Sequence, residues 1–151
     1  MKEGRVLQRV RKLCLSLPET GEAGAWGHPN FRAGKRTFVT FEWVKGRPSI
    51  AFRLSARDVG LLLRRQGFFA TPYGQGKWVS VWADLSLNWG LVERLLERSY
   101  RTVAIKRMIA ALAKMKEGAD RGDDVSVRDC LWRVGRGRLL AGRRVTKHFL
   151  Q

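Results

Sequence analysis

Few side chains in this sequence have the type and spacing that chemistry requires. His28 is the only histidine among residues 1–117. A general base or nucleophile activator needs a carboxylate or nucleophile at a recognisable spacing, and none accompanies it. Its setting, before Pro29 in a glycine-bearing stretch, fits a structural residue. Cys14 and Cys130 lie far apart and match no metal or disulfide spacing. Gly74-Gln75-Gly76-Lys77 lacks the Gly-x4-Gly-Lys-Ser/Thr register of a phosphate loop. Iron or zinc handling calls for clustered carboxylates, imidazoles or thiolates, whereas the acids here are scattered in a positive field. The sequence therefore assigns no catalytic residue, no metal ligand and no cofactor, and the expectation is a protein without enzymatic activity.

What the chain does carry is positive charge. Thirty Lys and Arg stand against thirteen Asp and Glu, a formal +17 with an isoelectric point near 11.3. The excess is spread along the chain: residues 1–117 hold 22 basic and 9 acidic side chains, and residues 118–151 hold 8 and 4. So basic a domain repels itself, and a polyanion is its natural partner. The basic residues gather at candidate turns and along one helix. Arg32, Lys35 and Arg36 cluster at one turn, Lys45 and Arg47 at the next, and Arg53 follows on a strand. Lys77 sits beside Trp78. Arg94, Arg98 and Arg101 recur at steps of four and three, which is one helix face. Adjacent hairpin turns are expected to form one basic edge that reaches phosphates.

These residues need elements to position them. Val6, Val10, Leu13 and Leu17 mark a helix over 5–17 that Pro18 ends. Residues 19–30 read as a glycine-rich loop. Phe31-Arg32 begins a strand, 37–43 and 49–54 alternate as strands, and the turns between them make an antiparallel meander. Thr37, Val39, Phe41 and Trp43 are expected on one face, Phe38, Thr40 and Glu42 on the other. Ser55-Ala56-Arg57-Asp58 is a capping box opening a second helix that stops near Gly67. Residues 68–76 read as a loop, 77–83 as a strand, and 86–116 as one long helix closed by Gly118. Trp78 and Trp82 are expected in the core, and Cys14 is expected to be a small buried residue. The fold class is α+β, an antiparallel sheet packed against helices on one face, in the order α-βββ-α-β-α. Residues 1–117 form the domain and 118–151 a basic, flexible extension. No apolar run reaches the ~18 residues of a membrane span, so the chain is expected to be cytoplasmic with no membrane insertion.

Several segments together resemble the MmcQ/YjbR family. Leu13-Cys14-Leu15-Ser16-Leu17-Pro18-Glu19 followed by Gly27-His28-Pro29-Asn30-Phe31-Arg32 is similar to the family's opening. Gly34-Lys35 with Phe38 resembles its first hairpin, and Lys77-Trp78-Val79-Ser80-Val81 its late strand. Glu97-Arg98-Ser99-Tyr100-Arg101-Thr102-Val103-Ala104 resembles its C-terminal helix. The pieces follow in order over residues 5–116. The resemblance implies a compact α+β fold, compared with double-wing DNA-binding domains and with frataxin. It also implies a DNA-binding label that rests on structural analogy, and it brings no catalytic motif.

The functional expectation is a non-catalytic nucleic-acid-binding protein. Its target is expected to be duplex DNA, held by phosphate contacts from hairpin turns and helix edges. The alternative is a protein-interaction or small-ligand module whose basic surface is incidental, with a pocket near Trp26, His28 and Trp78.

Overall fold

A computed structural model describes residues 2–25 and 27–119. Helix α1 (Lys2–Leu15) is followed by four strands, β1 (Thr20–Ala25), β2 (His28–Ala33), β3 (Arg36–Val44) and β4 (Arg47–Arg53). Helix α2 (Ala56–Leu62) leads to β5 (Phe68–Ala70) and β6 (Trp78–Trp82), and α3 (Trp89–Val103) and α4 (Lys106–Ala119) complete the described chain. The six strands form one antiparallel sheet in the order β1-β2-β3-β4-β6-β5. The α-βββ-α-β-α order stands, with β1 and β5 added at the two edges. The extension expected from 118 lies, from residue 120 on, outside the described residues.

Alternation along the paired strands sorts the side chains onto two faces. Phe31, Val39, Phe41, Ile50, Phe52, Val79 and Val81 stand in register on one face and are all buried. The helices cover this face. Val6, Val10 and Cys14 of α1, Val59 and Leu62 of α2, Leu91, Leu95, Leu96 and Tyr100 of α3, and Met108 and Leu112 of α4 join the same apolar core. Burial of apolar surface is the main stabilising term in such a packing. Burial in this core also pushes the Cys14 thiol above its ordinary titration range.

Three local features depart from the sequence expectation. A β-bulge shifts the β2–β3 register, so that Phe31 opposes Val39 while Arg32 opposes Thr37. Phe38 is the extra residue, and the bulge turns it to the helices rather than to the face of Thr40 and Glu42. There its ring meets Tyr100 edge-on at 5.7 Å and 82°. The stretch expected as a loop over 19–30 is mostly hairpin, because β1 pairs with β2 from Thr20 opposite Ala33 to Ala25 opposite His28. The helix expected over 86–116 is two helices. Ala104 is extended (φ −67°, ψ 138°) and ends α3, and the chain resumes as α4 after Ile105.

The caps follow local chemistry. Ser55 Oγ accepts from the Asp58 amide at 3.2 Å and opens α2, and Asn88 Oδ1 accepts from the Leu91 amide at the start of α3. The longest-range tie in the core is Tyr100, fully buried, whose hydroxyl donates to the Pro18 carbonyl at 2.7 Å. That bond fixes where the chain leaves α1 and enters β1. Replacing Tyr100 with Phe removes the donor and leaves the ring contact with Phe38. The expected cost is ~1 kcal/mol, read as a fall of roughly 4–8 °C in the thermal midpoint for a domain of this size.

Candidate nucleic-acid interface

The sheet face away from the helices carries a different set of side chains. The pairing register places His28, Asn30 and Arg32 of β2 there, Thr40 and Glu42 of β3, Ser49, Ala51 and Arg53 of β4, and Trp78, Ser80 and Trp82 of β6. No helix of the described residues packs on it, yet its centre is sealed: Thr40, Glu42, Ser49, Ala51 and Ser80 are all buried. Buried polar groups need partners, and most have one. Thr40 Oγ1 donates to Asn30 Oδ1 at 2.8 Å, Ser49 Oγ donates to the Glu42 carbonyl at 3.2 Å, and the Thr71 and Ser80 hydroxyls share a bond of 2.8 Å.

The seal comes from the segment between β5 and β6, which folds back over the sheet. Tyr73 reaches from this segment to β3, where its hydroxyl donates to both Glu42 oxygens at 2.9 and 3.0 Å. Its ring also stands 5.8 Å from that of Trp78. Gly74 makes the approach feasible. It has φ +85°, and a Cβ on it would fall 2.1 Å from Trp78 Cδ1, so only glycine fits. Trp78 and Trp82 are half-buried on this face rather than part of the helix-side core, because Val79 and Val81 of the same strand take that side. Trp82 is closed by neighbours: Phe69 stacks on it at 4.0 Å and the Arg47 guanidinium lies 4.0 Å from its ring centre.

The expected cations separate by position and by pairing. Lys35 and Arg36 stand at the β2–β3 turn, and Lys45 and Arg47 at the β3–β4 turn. Because β3 runs the length of the sheet between them, the two turns lie at opposite ends, roughly 27 Å apart at ~3.3 Å per residue. The single basic edge expected from adjacent turns is therefore not formed; consecutive turns of a meander alternate ends. Arg47 is engaged by Asp84 in a two-bond pair at 2.8 and 2.9 Å. On α3, Arg98 holds Asp58 at 2.5 Å and Arg101 holds Glu97 at 3.1 Å. Asp58 is only 3% exposed, so Arg98 compensates a buried carboxylate and is a structural residue.

Among the described residues, Arg32, Lys35, Arg36, Lys45, Arg53, Lys77 and Arg94 have no ion pair. Five of these seven share one end of the sheet. Arg53 opposes Trp78 at the end of β4, Lys77 precedes β6, and Ala33 opposes Arg36 beside the β2–β3 turn. At ~4.8 Å between strands, β2 and β6 are about 14 Å apart. Arg32 Nε in this group is buried without a hydrogen-bond partner. Lys45 and Arg94 stand apart. Of the residues expected to form a pocket, His28 and Trp78 share the open face. Tyr73 bridges Glu42 to Trp78, whereas the His28 ring stacks on Trp43 at 6.0 Å. Trp26 lies outside the described residues.

A second cationic surface was not singled out from the sequence. Arg5, Gln8, Arg9 and Lys12 of α1 line a shallow groove of about 1170 Å³ with Ser16 and Glu93. Arg9 stacks over Trp89 at 4.3 Å. The exposed stripe of α1 was legible as charge, but nothing in the sequence indicated that α3 would wall it. Among the described residues no group of three His, Cys, Asp or Glu side chains is placed to hold a metal ion, and no helix is long and apolar enough to cross a membrane.

A one-sided α+β sheet with an open polar and aromatic face defines the structural class. The chain belongs to the YjbR family, whose model matches residues 15–102. Two solved structures have a similar fold. A Deinococcus radiodurans protein with a DUF419 domain aligns with a TM-score of 0.59 at 18% identity, over 71% of this chain and 87% of that one. A Pseudomonas syringae protein aligns with a TM-score of 0.54 at 16% identity, over 64% of this chain and 96% of that one. No curated protein matches the sequence.

Burial holds the Glu42 carboxyl above the usual carboxylate range, against the opposing pull of the Tyr73 hydroxyl and the His28 charge. A carboxyl whose folded pKa is raised is tolerated best when protonated, so stability falls as pH rises through that raised value. Glu42→Gln keeps an acceptor for Tyr73 and removes the titration. Thermal melts are expected to find the variant at least as stable as the parent at pH 7.5, with the gap closing toward pH 4. A gap that favours the parent equally at both pH values would contradict this assignment.

Proposed function

We propose that the protein is a cytoplasmic, non-catalytic nucleic-acid-binding module, with residues 1–117 as its binding domain. The observation that carries this reading is the group of five unpaired cations, Arg32, Lys35, Arg36, Arg53 and Lys77, at one end of the sheet. Unpaired side chains keep their full charge for phosphates, and binding would be driven by release of condensed counterions. The ion-paired Arg47, Arg98 and Arg101 contribute less, since each already faces a carboxylate.

The small-ligand reading has one specific support: Glu42, Tyr73 and Trp78 form a connected row on the open face. Binding there would show little dependence on salt.

Salt dependence separates the two. Five phosphate contacts imply a slope of log K against log salt of about −4. Replacing Lys35, Arg36 and Lys77 together with Ala is expected to lower the slope to about −2 in an anisotropy titration. All three are exposed, so folding is spared. The pair Lys45→Ala and Arg94→Ala serves as the control and should leave the slope unchanged. Equal effects of the two sets would mean that the charge acts only as a diffuse background.

A further inference from the structure

The open face offers aromatic groups as well as charge. Tyr73 is 44% exposed although its hydroxyl is anchored on Glu42. An exposed ring on a fixed hydroxyl is a stacking surface whose orientation is already set. Beside it stands Trp78, pinned against the Gly74 backbone. Trp82, by contrast, is closed between Phe69 and Arg47. The usable aromatic surface is therefore the Tyr73–Trp78 pair: Trp78 stands at the end of the sheet where the unpaired cations gather, and Tyr73 runs from it along the face toward Glu42. Arg53 opposes Trp78 across the β4–β6 ladder, and Lys77 is its chain neighbour. Arg32 is on the same face two strands beyond Arg53, with its Nε–H unpartnered.

A duplex keeps its base faces stacked inside and presents phosphates outside, so an aromatic pair ringed by cations has nothing to stack upon. A single strand offers both groups at once, a base face for each ring and a phosphate for each cation. The one carboxylate in the neighbourhood, Glu42, is buried and taken up by Tyr73, so it adds little repulsion. We propose that the open face of the sheet binds single-stranded nucleic acid. Bases stack on Tyr73 and Trp78, and phosphates lie on Arg53, Lys77 and Arg32. This deepens the nucleic-acid reading and rests on it. It replaces the duplex as the preferred form, because the two turns expected to grip a duplex face opposite ends of the sheet.

The test compares four probes against the full chain near physiological salt: a 15-nucleotide oligo-dT, a 15-base-pair duplex, an abasic deoxyribose-phosphate oligomer of equal length, and heparin. The oligo-dT is expected to bind about tenfold more tightly than the duplex and the abasic oligomer, the scale of a stacked base. Tyr73→Ala should remove most of that advantage while leaving the abasic oligomer unaffected. Tyr73→Phe, which keeps the ring and loses only the bond to Glu42, should retain it, and this separates stacking from folding. Equal binding of oligo-dT and abasic oligomer by the parent chain would overturn the single-strand proposal. If the Lys35, Arg36 and Lys77 variant still weakened that binding, the phosphate reading would survive alone. If heparin competed as well as oligo-dT and the charge variants changed nothing, both readings would fall.

Discussion

The structure depends on one asymmetry: a six-stranded antiparallel sheet with helices on a single side. The large buried aliphatic side chains and Phe31, Phe38, Phe41 and Phe52 are committed to that side, where α1, α2, α3 and α4 close one continuous core. The other side has to remain compatible with water without leaving its backbone or its polar groups unsatisfied. It does so with short hydrogen-bonded side chains at its centre and with a folded-back segment whose tyrosine reaches Glu42. That segment covers the middle of the face and leaves its end accessible.

The distribution of charge follows from the same asymmetry. Acids are scarce, and the described ones mostly serve arginines that pack on the protein itself: Glu22 with Arg11, Asp84 with Arg47, Asp58 with Arg98, Glu19 with Arg107. Apart from Asp58–Arg98, whose carboxylate is buried, such exposed pairs add little stability each, but all of them remove their arginines from the pool available to a polyanion. Five of the cations that remain unpaired meet where Arg53, Lys77 and the β2–β3 turn come together, while Arg5, Arg9 and Lys12 line the separate α1 groove. The helix α4 supports this end, since Met108 packs so closely on Gly34 that a Cβ there would lie 3.1 Å from the methionine methyl. A binding surface at that end would thus sit on a braced turn.

Much of this was legible in the sequence. The alternation in 37–43 and 49–54, the capping box at Ser55, the burial of Cys14 and the one-sided α+β class all follow from residue periodicity. The strand β1 did not, because Thr-Gly-Glu-Ala-Gly-Ala has little β-propensity. It is held by its ladder to β2, by the Arg11–Glu22 pair and by Tyr100 at its entrance. The break after Val103 had no Pro or Gly to announce it. The bulge at Phe38 likewise has no local sign; it is revealed by the pairing with β2. The placement of Trp78 and Trp82 could have been read from strand alternation with Val79 and Val81, had their size not suggested a core role. As for the site, each cation was identifiable, but their grouping depends on which turns share an end, and that is a property of topology.

The family to which the chain belongs supplies a fold, while the functional reading comes from the residues of the open face. It is tested most directly by mapping amide and indole resonances of the isotopically labelled full chain during titration with oligo-dT. Shifts are expected for the backbone of Arg32, Arg53 and Lys77 and for the Trp78 indole, with Arg5, Arg9 and Lys12 in the α1 groove unmoved. Shifts centred on α1 and α3, with the Trp78 indole silent, would place the polyanion on the helical side and contradict the open-face assignment.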